Sequence, residues 1–116
     1  MAKYEKRLQG NFDEFLSWIH ENITNGSSSV TYEDGSDIDL GDARVAVRVY
    51  ERYSITGGNR VSLNVTVTGT GENLFISAIT SGGSQAVFFK MNTLGEETFL
   101  ELCQDAVKSY VQHLSE

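Results

Sequence analysis

Proline is absent from this chain, although average usage would supply about six in 116 residues. Native cis-proline is thereby excluded as a source of slow folding. A single cysteine, Cys103, rules out an intramolecular disulfide framework and fits a reducing compartment. No run approaches the roughly 18 apolar residues of a membrane helix. The opening MAKYEKRLQG is charged from its third residue, so it does not supply the apolar segment of a secretory signal. A cytoplasmic protein without membrane attachment is expected, and the glycosylation sequons at Asn22, Asn25 and Asn64 then carry no physical meaning. Basic residues are also scarce: nine lysines and arginines stand against sixteen acidic residues, for a net charge of −7 and a pI near 4.7. Wrapping of nucleic acid is excluded on that balance, because neutralising phosphates takes a dense basic surface. Arg44, Arg48, Arg52 and Arg60 are the one loose basic group, and they read as solvated or cross-strand-paired side chains rather than an anion site.

What is present suits one α+β domain over residues 1–116, a length that buries roughly two-thirds of the unfolded chain's surface. KYEKRLQ at 3–9 alternates as a short strand with Tyr4, Lys6 and Leu8 on one side, and Gly10 ends it. Asn11 followed by Glu14 is a capping-box pattern. Phe12, Phe15, Leu16, Ile19 and Ile23 then recur at helical spacing, and Asn25-Gly26 offers a left-handed stop.

From Ser28 to Met91 apolar alternation is punctuated by glycine pairs and Asp-Gly steps, the pattern of a hairpin meander. A loop at Glu33-Asp34-Gly35 would pair Val30 with Ile38. Val45, Val47, Val49 and Tyr53 are expected on one face, matched by Val61, Leu63, Val65 and Val67 of the next strand. A four-residue loop at 69–72 sets Val67 against Leu74 and Val65 against Ile76, and a last hairpin over Ser81–Ser84 sets Ile76 against Phe89. Thr93 and Glu96 repeat the capping pattern ahead of a second helix bearing Phe99, Leu102, Cys103, Ala106, Val107, Tyr110 and Leu114.

The expected architecture is an antiparallel meander sheet of about six to seven strands in β-α-β6-α order, with two helices packed on one face. That order resembles the helix-grip fold of the Bet v 1-like superfamily and, more compactly, the TATA-binding-protein-like fold. GDARVAVRVYERYS at 41–54 and SAITSGGSQAVFFK at 77–90 resemble a family of short uncharacterised bacterial proteins, mainly from Firmicutes. No activity is assigned to that family, so the resemblance transfers no catalytic residue.

Chemistry-bearing residues are sparse. EDGSDIDLGD at 33–42 holds five carboxylates, but its spacing is not that of an EF-hand, and charged edges also block strand-to-strand aggregation. No metal or cofactor is expected. His20 and His113 lack partners at zinc-ligand spacing, no Gly-x-Ser-x-Gly elbow occurs, and Cys103 on an apolar helix face is expected to be inert. Lys6 and Glu51 fall on the expected helix-facing side, so each must pair, reach water at a strand end or line a wet cavity. The opposite face carries Tyr50, Phe75, Ile79 and Phe88 among polar residues, and Trp18 stands off the main stripe of the first helix. The first reading is a noncatalytic domain that forms a homodimer or binds another protein through that outer face, with Trp18, Tyr50, Phe75, Ile79 and Phe88 at the interface. A second reading is a carrier of a small apolar ligand held between helices and sheet by Lys6, Glu51, Tyr53 and Tyr110.

Overall fold

A computed structural model describes residues 1–53, 60–82 and 89–116, the last segment with side chains from 95 onward. The chain runs β1 (Ala2–Gln9), α1 (Phe12–Asn25), β2 (Val30–Asp39), β3 (Arg44–Tyr53), β4 (Arg60–Thr70), β5 (Asn73–Gly82) and α2 (Phe89–Leu114). Among the described residues five strands form one antiparallel sheet in the order β1-β5-β4-β3-β2. α1 packs toward β2 and β4, while α2 covers β1, β5 and β4, so both helices share one face.

The class is the α+β expected, with fewer strands among the described residues. Phe89, Lys90 and Met91, expected at the end of a strand, lie in the first turn of α2, and residues 83–88 fall outside the described residues. Thr93 is consequently inside the helix rather than at its cap. Glu96 is buried, with its carboxylate beside the Met1 ammonium.

The expected hairpin within residues 30–39 is also absent. β2 is one continuous strand that pairs along its whole length with β3, and the chain turns later, at Gly41, whose φ is +90°. Nine residues paired with a β-branched neighbour satisfy more backbone groups than a short self-paired hairpin would. A bulge between Tyr32 and Asp34 absorbs one extra residue, so Tyr32 and Gly35 lie on the helix-facing side while Asp34 and Ile38 face outward.

β3 is turned over relative to expectation. Ala46 and Tyr50 are its fully buried residues, and Val45, Val47 and Val49 lie half-buried on the outer face. Six residues, 54–59, separate the paired Tyr53 and Arg60, and that even spacing places even-numbered residues of β3 beside the odd-numbered core residues of β4. Between β4 and β5 the loop has two residues rather than four: Thr70 pairs with Asn73, and Gly71 takes φ +59° at the first loop position, as a type II′ hairpin requires. Val67 thus meets Ile76 and Val65 meets Ala78. A slip of two preserves the faces, so the apolar side of both strands is as expected.

The core joins Phe15, Ile19 and Ile23 of α1 to Leu63, Val65, Val67, Ile76 and Ala78 of the sheet and to Phe99, Cys103, Val107 and Tyr110 of α2. Each large apolar side chain buried there stabilises the fold by about 1.5–3 kcal/mol before chain entropy is counted. α1 starts as expected, with Asn11 Oδ1 accepting the Glu14 N–H at 2.9 Å. Its end differs: Gly26 keeps right-handed angles, and a Cβ there would meet the Asn22 carbonyl at 2.8 Å and Leu102 at 3.0 Å. The Asn22 carbonyl of the same helix and then the Leu102 side chain, not a left-handed turn, are what need glycine at this position.

Candidate functional site

No described element covers the outer side of the sheet, and strand pairing places its residues in rows. One row runs Arg7, Phe75, Thr68, Val45, Ile38 from β1 to β2; the next is Glu5, Ser77, Thr66, Val47, Ser36; a third is Lys3, Ile79, Asn64, Val49, Asp34. Ile79 is 39% exposed and Ile38 53% exposed, while the valines between them are half-buried by their neighbours alone. Arg7, Thr68 and Phe75 border a groove of about 390 Å³ at the β4–β5 hairpin end. Apolar stripes on β5 and β3 therefore flank a hydroxyl and amide stripe on β4.

Of the residues expected at an interface, Phase of the strand decides the outcome: Phe75 and Ile79 lie on this face, Tyr50 points to the helices and is fully buried, and Phe88 lies outside the described residues. Trp18 binds α1 to α2. Its indole Nε1 donates to the Ala106 carbonyl at 3.1 Å and to Ser109 Oγ at 3.0 Å, and its ring stacks on His113 at 4.8 Å.

The four residues expected to hold a ligand are not brought together. Glu51 and Tyr53 belong to the outer face, because of the inverted β3, and Glu51 accepts a hydrogen bond from Arg60 Nη1 at 2.7 Å. Lys6 does lie on the helix-facing side, but in the edge strand, where its side chain reaches water. Tyr110 is enclosed in the core, with its hydroxyl donating to Glu14 Oε1 at 3.0 Å.

A second cluster escaped the sequence reading. The inward face of β3 carries Arg48 and Tyr50, and α1 brings His20 onto them, with His20 Nδ1 2.8 Å from the Tyr50 hydroxyl. Burial pushes the Tyr50 phenol up, so it stays protonated and shares a hydrogen bond with Nδ1. Burial first, then the Arg48 charge, holds His20 below the usual imidazole range. Tyr32 meets the His20 ring edge-on at 5.0 Å, and Leu16, Ser17, His20, Tyr32 and Arg48 line an open cleft of about 220 Å³. Arg48 is already engaged: it donates to the Val47 carbonyl at 2.9 Å and to Asp37 Oδ1 at 3.0 Å. Recognising this cluster requires knowing which way β3 faces.

The acidic stretch is spread along an edge strand rather than gathered. Asp37 pairs with Arg48, Asp39 Oδ1 accepts the Gly41 N–H at 2.8 Å, and Asp34 Oδ1 accepts the Gly35 N–H at 2.8 Å. Among the described residues no three His, Cys, Asp or Glu side chains are grouped to hold a metal ion, and no helix is long and apolar enough to cross a membrane. Burial pushes the Cys103 thiol up to about 12, which leaves it un-ionised and inert at neutral pH.

Residues 1–111 match DUF6054, a family of unknown function, and the chain belongs to that family. A search of the curated proteins found no match.

Proposed function

For a member of a family without an assigned activity, we propose that the chain is a noncatalytic self-associating domain whose docking surface is the outer face of the sheet. The observation that carries this reading is the face that no described element covers, with Phe75, Ile79, Ile38 and the three β3 valines arranged in stripes across it. Strands about 4.8 Å apart, each of about ten residues rising about 3.3 Å per residue, make a five-strand face of roughly 800 Å². One partner contributes about that area to an interface of standard size. Lateral sheet extension is disfavoured instead, since both edge strands carry charges that oppose strand addition. A cytoplasmic setting accords with a lone, buried thiol.

The test is the solution mass by sedimentation or light scattering across a concentration series, with Phe75→Glu and Val47→Glu as variants whose folding is checked by circular dichroism. A concentration-dependent dimer that both folded variants lose supports the reading. A strict monomer, unchanged by either substitution, overturns it.

A further inference from the structure

We infer that the partner on the outer face is a second copy of this chain, docked face to face about a two-fold axis that runs parallel to the strands along β4. This rests on the self-association reading above and adds the arrangement. Sheets packed face to face keep their strands within about 30° of one another, which leaves two candidate two-fold axes in the plane between them, one along the strands and one across them. Closed two-fold pairs are also the commonest homo-oligomers.

An axis along β4 reverses the strand order of the second copy. β1 then lies over β2 of the other chain, β5 over β3, and β4 over itself. In the row centred on Asn64, Lys3 opposes Asp34 of the second copy and Ile79 opposes its Val49. In the row centred on Thr68, Phe75 opposes Val45. Each contact occurs twice, apolar stripe meets apolar stripe, and the hydroxyl and amide groups of β4 meet their own kind, where they can exchange hydrogen bonds. The rotation of about 30° displaces the edge strands by about 5 Å, less than the ~6.6 Å between successive outward residues, so a lysine side chain still spans the offset.

An axis across the strands does the opposite. β1 lies over β1, and centring on the middle row sets Lys3 against Arg7 and Glu5 against Glu5. Like charges then meet at every position of the β1 rim, which disfavours the pairing. The asymmetry reaches beyond one pair: in the outward rows β1 presents Lys3 and Arg7 beside Glu5, whereas β2 presents Asp34 and no cation. The two ends of the face are complementary to each other and not to themselves, which is what a strand-parallel axis uses.

Lys3→Glu and Asp34→Lys each turn two attractive contacts into two repulsive ones, whereas an equimolar mixture of the two variants restores both contacts in a heterodimer. Sedimentation at low ionic strength is expected to give a dimer for the wild type, dimerisation weakened about tenfold or more in each variant alone, and recovery of the dimer on mixing. Both variants are first confirmed as folded by circular dichroism, since Asp34 also accepts the Gly35 N–H. A wild-type dimer that neither variant weakens, or that mixing does not recover, overturns the arrangement while leaving self-association standing. A mass that grows past the dimer points to edge-to-edge growth and overturns the arrangement as well. A wild type that stays monomeric at all concentrations overturns the self-association reading itself.

Discussion

The hydroxyl of Tyr110, near the C-terminal end of α2, closes the N-terminal cap of α1: it donates to Glu14 Oε1 at 3.0 Å and accepts the Asn11 backbone N–H at 3.4 Å. In an ordinary capping box the Glu14 carboxylate would reach the Asn11 N–H itself. Here a residue 96 positions away stands between them, so the local signal and the packing of the two helices are one unit.

Tyr110→Phe is expected to cost about 1–2 kcal/mol, because it leaves a part-buried N–H without its partner and removes a hydrogen bond to a carboxylate. Asn11→Ala should cost about 1 kcal/mol through the lost cap. Urea denaturation of both single variants and the double variant checks the coupling. Full additivity would show that cap and tyrosine act independently, against the geometry.

Acid sensitivity should trace in part to His20. Its folded-state pKa is held below the unfolded value of about 6.5 by burial and by Arg48. Between those two values the unfolded chain binds more protons than the native one, so stability rises with pH there and falls as the solution is acidified below about 6.5. Urea midpoints at pH 7 and pH 5 should drop further in the wild type than in His20→Gln. Equal drops would remove His20 as a contributor.

Gly35 is required by what lies over it. The bulge in β2 puts Tyr32 and Gly35 on one side, where the Tyr32 hydroxyl covers the glycine and a Cβ would also meet the Val47 carbonyl at 2.8 Å. Gly35→Ala is expected to destabilise by about 1–3 kcal/mol through overpacking. Tyr32→Phe should recover part of that loss when combined with it, as read from thermal unfolding. No recovery would place the whole cost in the backbone contact.

Register explains where sequence reading and structure part. Period-two alternation identifies the buried face of β4, whose other side is polar, pairing with β4 carries that parity to β5, and a loop misjudged by two residues leaves both faces unchanged. β3 has a candidate on either side, valines on one and Ala46 with Tyr50 on the other. Its arginines hide the answer: Arg44 bonds Asp13 at 2.8 and 2.9 Å, and Arg52 bonds Thr98 Oγ1 at 2.7 Å with its guanidinium over Phe99, so charged side chains serve the helix-facing side. An alternation scan counts them as outward.

The amino-acid sequence by itself determined the α+β class, both amphipathic helices, the Asn11 cap, the buried and inert Cys103, and the apolar faces of β4 and β5, because each depends on spacing within a segment or on the chemistry of one residue. Tertiary structure alone decided the continuous β2 with its bulge, the orientation of β3, the meeting of His20 with Tyr50, and the outer rows that carry Lys3 and Asp34 at opposite ends. Those features depend on how many residues separate two paired strands and on which neighbour satisfies each backbone group. Both are properties of the assembled sheet, and no single segment encodes them.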